Sequence, residues 1–152
     1  MKPLVLFLGN YLLSDDRVGL EVGERLKERL IQEGYDVELV EKSGLALLDH
    51  LEGRSEVIIV DSIKSGQHSV GTVVTPSIEE FERLSVFSPH YAGVPEALQI
   101  LKALGMDQGC KVHIIAVEVE DPYSVGDQLS KRLRDRLDQI VKNVHRLISC
   151  LK

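Results

Sequence analysis

The sequence predicts an α/β protein: a twisted, mostly parallel sheet of about five strands with helices on both faces. Three observations predict it. Short apolar runs alternate with longer amphipathic ones along the 152 residues, the pattern of strand–helix–strand units. Two of the short runs, Leu4-Val5-Leu6-Phe7-Leu8 and Val57-Ile58-Ile59-Val60, are continuously apolar, as strands covered on both faces must be. A third run, residues 70–75, follows its predecessor too closely for a helical crossover and is expected to be antiparallel.

The elements follow in order. Gly9 ends the first strand and allows a sharp turn. Val18, Val22, Leu26 and Leu30 then recur every fourth residue, the spacing of one helix face. Asp15 or Asp16 is expected to cap this helix, accepting backbone N–H groups and complementing the positive end of its dipole. Gly19 and Gly23 lie near the buried face and let the helix sit close on the sheet. Residues 35–40 alternate, with Tyr35, Val37 and Leu39 on one side, as an edge or half-buried strand would. Leu45, Leu47, Leu48 and Leu51 make a short helix closed by Glu52-Gly53-Arg54. The run 57–60 is the strongest strand signal and leads straight into Asp61. A polar loop, the β-rich residues 70–75 and a helical turn or two over 78–84 come next. Ser88 to Gly93 reads as a loop, followed by a helix with Pro95 near its first position and Val94, Ala97, Leu98, Leu101 and Leu104 on its apolar face. Residues 112–117 are another strand, and 118–128 an acidic loop. Ser130 is expected to cap one last long helix, with Leu133, Leu137, Ile140, Val141, Val144, Leu147 and Ile148 as its stripe. No repeat, low-complexity tract or linker interrupts this, so residues 1–152 read as a single domain.

Composition excludes several classes of function. The formal net charge of −6 argues against a nucleic-acid partner, which requires a basic face. Cys110 and Cys150 have no metal-ligand spacing and read as reduced thiols, with Cys150 packed on the terminal helix. The first apolar run is too short for a signal-peptide core, and nothing approaches a membrane span. A cytoplasmic protein is expected, and the acidic surface suggests a monomer. There is no His-Glu-x-x-His, no Gly-x-Ser-x-Gly and no phosphate cradle; two acids in the first turn would repel a phosphate. No cofactor-binding motif emerges.

In open sheets of this kind, ligands sit beyond the carboxyl ends of the strands. Three groups are expected there: Asp16 after the first strand, Asp61 at the end of the third, and His90 in the loop before a helix. Two carboxylates and an imidazole can bind a divalent transition ion with coordination positions to spare, or form a His–Asp acid–base pair. Each also has a plainer explanation: a helix cap for Asp16, a turn or ribose contact for Asp61, a surface loop residue in His90. His50, His68, His113 and His145 read as structural or solvent-facing, and Glu118, Glu120 and Asp121 as a solvated acidic loop.

Three motifs occur in one order: Gly9-Asn10-x-Leu12-x-x-Asp15-Asp16-x-x-Gly19, then Val60-Asp61 after an apolar strand, then Ser88-x-His90-x-x-Gly93-Val94-x-Glu96-Ala97-Leu98. Together they resemble the hydrogenase maturation endopeptidase family, over nearly the whole chain. The resemblance implies a three-layer α/β/α sandwich. It also implies that Asp16, Asp61 and His90 contact nickel, supplied in the substrate rather than held as a resident cofactor. The substrate would be the large-subunit precursor of a nickel–iron hydrogenase, cut to remove a short C-terminal extension after nickel insertion. Whether the attacking water is activated by the metal, a carboxylate or His90 stays open on sequence. The chain departs from the family at Arg17, often glycine there, and at Val119, where proline commonly follows Glu118; Pro89 also stands ahead of His90. Arg17 is placed to pair with Asp15 or to contact the substrate tail. The competing readings are a metallohydrolase with its own bound ion and a non-catalytic doubly wound ligand-binding module.

Overall fold

The computed structural model describes residues 2–41, 47–84, 99, 102–103 and 109–151. Its strands are β1 (Leu4–Leu8), β2 (Asp36–Val40), β3 (Glu56–Ile63), β4 (Val73–Val74) and β5 (Lys111–Glu118). Its helices are α1 (Val18–Gln32), α2 (Leu48–Leu51), α3 (Ile78–Leu84), α4 (Lys131–Asp135) and α5 (Leu137–Cys150). The sheet order is β2-β1-β3-β5-β4, parallel except for β4, which runs antiparallel to β5. The expected mostly parallel five-strand sheet with one antiparallel strand is therefore the observed one.

Alternation along the strands divides the core into two layers. Val5 and Phe7 of β1, Ile58 and Val60 of β3, and Ile115 and Val117 of β5 meet α1 and the carboxyl-terminal helices on one face. Leu4, Leu6 and Leu8, with Val57, Ile59 and Ile63, meet Leu47, Leu51 and Phe81 of the α2 and α3 side on the other. Helices on both faces explain why β1 and residues 57–60 of β3 tolerate no polar residue.

Helix α1 lies unusually close to the sheet. A Cβ at Gly19 would stand 2.1 Å from the Leu8 carbonyl oxygen, and one at Gly23 2.7 Å from Phe7 Cγ. In an open helix alanine would be favoured over glycine by about 1 kcal/mol. At Gly19 the clash is with backbone that cannot swing aside. Gly19→Ala should therefore destabilise the fold by about 3 kcal/mol, read as a lowered urea midpoint with an unchanged slope; an unchanged midpoint would mean that the helix can retreat without loss. The other end of α1 is closed by Gly34 at φ +100°, with Gly34 N–H donating to the Ile31 carbonyl and Tyr35 N–H to that of Leu30. This left-handed turn needs glycine. It starts β2 at Asp36, one residue later than the alternation suggested, and leaves β2 on the sheet edge.

Two other elements differ from their expected form. The antiparallel segment 70–75 contributes only Val73 and Val74 to the ladder, because Gly71 turns at φ +92° before it and Pro76, with no N–H, follows. The last helix is two, separated by Arg136 at φ −105°, ψ 2°. Its apolar stripe crosses the break without a gap, since Leu133, Leu137, Ile140, Val144 and Ile148 are all buried. Cys150 is exposed on α5 rather than packed; neither it nor Cys110 is in a disulfide. Helix α3 starts with a reciprocal cap: Ser77 Oγ accepts from Glu80 N–H, and Glu80 Oε1 from Ser77 N–H. Leu45 and most of the helix expected after Pro95 lie outside the described residues; Gln99, Lys102 and Ala103 of that stretch are helical. Among the described residues no helix is long and apolar enough to cross a membrane.

Candidate active site

From β1 the chain crosses to β2 on one side, and it returns to the other side of β1 for β3. The winding direction thus reverses between β1 and β3, the place where sheets of this type open a crevice beyond their carboxyl ends. Register makes the crevice concrete. β1 pairs with β3 only as far as Phe7 opposite Val60. β3 continues beside β5 for three more residues, with Asp61 opposite Ala116, Ser62 opposite Val117 and Ile63 opposite Glu118. Asp61 is therefore inside the strand, not at its end. The ladder continues because backbone hydrogen bonds do not depend on the side chain, whereas the apolar run that marks the strand in sequence stops at Val60.

The turn after β1 is built by its own polar residues. Asn10 Oδ1 accepts from Leu12 N–H at 2.8 Å, which folds the chain back. Leu13 then bridges Val125, Ser14 N–H donates to the Ser124 carbonyl, and Gly126 N–H to that of Leu12. Residues 10–14 are stitched to the loop after β5. A single 3₁₀ turn, Asp15–Arg17, leads into α1.

Both acids of that turn are fully buried, and neither caps the helix, contrary to expectation. The Asp15 carboxylate points instead to the 120–130 loop. Its Oδ2 accepts from the N–H groups of Glu120 at 3.0 Å and Asp121 at 2.7 Å and from Ser130 Oγ at 2.9 Å. Its Oδ1 accepts from Ser130 N–H at 2.6 Å. Ser130, expected to cap the last helix, makes no side-chain cap; its hydroxyl serves Asp15. Arg17 pairs with Glu21 at 2.9 Å and donates to the Tyr11 carbonyl at 2.8 Å, rather than joining Asp15.

Asp16 turns inward to β3. Its Oδ1 accepts from Ser62 Oγ at 2.7 Å, while Asp61 Oδ1 accepts from Ser62 N–H at 2.7 Å. Asp61 and Ser62 are each 2% exposed. Burial pushes the Asp16 carboxyl up to about 7 against the pull of the Ser62 hydroxyl. Asp61 is also raised well above the ordinary carboxylate range, by burial first and then by the charge of Asp16. Two acids that hinder each other's ionisation in a crevice form a candidate cation or acid–base site.

The stability consequence has a definite sign. Between pH 4 and about 7 folded Asp16 keeps a proton that the unfolded chain has released. Stability from this group is thus greatest in acid and falls as pH rises through that window. Urea unfolding from pH 4 to 8 should show a shallower fall for Asp16→Asn than for the wild type; parallel profiles would contradict the raised ionisation.

His90 and the motif around it lie outside the described residues. Among the described residues, no three His, Cys, Asp or Glu side chains form a metal-binding group; Asp16 and Asp61 are two carboxylates at one locus. The acidic loop differs from expectation in one member. Glu118 is 1% exposed and accepts from Ser65 N–H, Gly66 N–H and the Ser65 hydroxyl, so it anchors the loop after β3 rather than facing solvent. His50, His113 and His145 each meet a glutamate, Glu38, Glu56 and Glu33 respectively, in keeping with structural roles. Ser62 escaped the sequence reading; the signal was a hydroxyl beside an acid in an otherwise apolar strand.

The fold and crevice define an α/β protein that gathers buried carboxylates at the switch point of its sheet. Comparison with known proteins narrows this. The model of the hydrogenase maturation protease family, HycI, matches residues 20–147. That span includes Asp61 and His90 and begins after Asp16. The hydrogenase 2 maturation protease of Escherichia coli is 35% identical over 109 residues, which is 69% of this chain and 66% of that protein, just under two thirds of its length. The NiFe hydrogenase maturation protease HybD of Thermococcus kodakarensis superposes with a TM-score of 0.74 at 31% identity, covering 97% of this chain and 99% of that one. The hydrogenase maturating endopeptidase HybD of E. coli gives 0.76 at 26% identity, covering 95% and 90%. The chain belongs to the hydrogenase maturation protease family, a class of endopeptidases.

Proposed function

We propose that this protein removes the C-terminal extension of a nickel–iron hydrogenase large-subunit precursor after nickel insertion, using Asp16, Asp61 and His90 to meet the nickel that the substrate carries. The observation that carries this reading is the buried pair Asp16 and Asp61 at the switch-point crevice. Burial raises both acids, and the charge of Asp16 raises Asp61 further; a divalent cation held by them would relieve both. Carboxylate and imidazole donors suit a borderline transition ion whose remaining ligands come from another protein. Hydrolysis adds water across the peptide carbonyl, breaks the C–N bond and returns a proton to the departing amine.

The test uses the precursor with nickel installed and the same precursor without it. Incubation with this protein should release a C-terminal peptide, weighed by mass spectrometry, only from the nickel-loaded form. Cleavage of both forms would retain the protease and remove nickel as the recognition element. Cleavage of generic peptides, together with stoichiometric metal in the purified protein, would favour a metallohydrolase with its own ion.

A further inference from the structure

Ser62 donates to both crevice acids. Its N–H goes to Asp61 Oδ1 and its hydroxyl to Asp16 Oδ1, each at 2.7 Å. It lies where β3 has outrun β1, so the 3₁₀ turn bearing Asp16 faces it in the place a strand would otherwise occupy. Its neighbours of the same parity, Ile58 and Val60, are aliphatic and belong to the core. A hydroxyl here gives up apolar packing, and burial obliges it to find a partner.

We propose, resting on the function proposed above, that Ser62 is a positioning residue: its hydroxyl orients the Asp16 carboxylate beside Asp61 for the substrate's nickel. Asp61 belongs to a rigid strand in the middle of the sheet. Asp16 belongs to the one-turn 3₁₀ helix outside the sheet. The backbone N–H of Ser62 ties Asp61 in place, and the short hydroxyl, with one rotatable bond, ties Asp16 to the same point. Partners of this kind fix the direction of ligand lone pairs before the metal arrives, and their loss typically costs roughly 10–100-fold in affinity or activity.

The experiment compares Ser62→Ala and Ser62→Thr with the wild type. Three readouts are taken: cleavage rate at saturating nickel-loaded precursor, thermal unfolding, and calorimetric binding of Ni²⁺ alone. Ser62→Ala should cut the rate and weaken Ni²⁺ binding by about 10–100-fold, with its melting temperature close to that of the wild type. Ser62→Thr, which keeps the hydroxyl, should recover both to within about threefold. Wild-type behaviour of Ser62→Ala overturns the inference. Equal losses in both variants also overturn it, because side-chain volume and not the hydrogen bond would then matter. If the wild type fails to cut the precursor, the functional reading falls, while the Ni²⁺ titrations still decide the role of Ser62.

Discussion

Asp61→Asn should leave a nickel-loaded hydrogenase precursor uncut, with a rate more than about 100-fold below wild type. Partners of metal ligands alone are worth roughly 10–100-fold, and Asp61 is proposed as a ligand itself. An amide is a poorer ligand than a carboxylate for a divalent ion. The same change should not harm the fold. The asparagine oxygen can still accept from Ser62 N–H, and the variant removes an acid whose ionisation is opposed by burial and by Asp16. A gain of about 1 kcal/mol is expected at pH 8, the usual size of a stabilising substitution at a site kept for function. Mass spectrometry of the precursor and urea unfolding of the protease check the two halves. Normal processing would remove Asp61 from the site. Loss of activity accompanied by loss of stability would make the effect structural.

Asp15→Ala should show the opposite pattern, a large loss of stability. It withdraws one buried carboxylate from four donors on Glu120, Asp121 and Ser130. Hydrogen bonds to a charged group are worth about 1.5–3 kcal/mol each and are not additive. A net cost of roughly 3–5 kcal/mol follows, a large part of the 5–15 kcal/mol typical of a whole domain. Processing should fall as well, because the turn holding Asp16 loses its anchor. Asp15→Asn, which keeps one acceptor oxygen, should lie between the two. A midpoint for Asp15→Ala within 1 kcal/mol of wild type would mean that water satisfies the stranded donors.

What was legible in the sequence was local. The strands β1 and β3, the face of α1 and the closeness implied by Gly19 all follow from residues within a few positions of each other. The placement of Asp61 on β3 was legible too, although its position inside the strand depends on pairing with β5. Asp15 was misread as a cap because its partners lie 105 to 115 residues away, beyond any periodicity. Glu118 was misread as solvated because the loop that covers it, Ser65-Gly66, is joined to it only in three dimensions. The break at Arg136 was invisible because an apolar stripe records which side faces the core and not whether the backbone stays helical.

The anchoring of Asp15 also bears on the order in which the molecule is made. Its donors belong to residues synthesised more than a hundred positions after it, and a nascent chain emerges amino end first at roughly 5–20 residues per second. The sheet's first strands and the turn bearing Asp16 leave the ribosome seconds before the segment that secures them. A chain halted before residue 120 would carry Asp16, Asp61 and Ser62 without the clasp that holds the turn. The crevice therefore takes its final shape only after residue 130 has emerged, and chains halted earlier would hold its acids without its architecture.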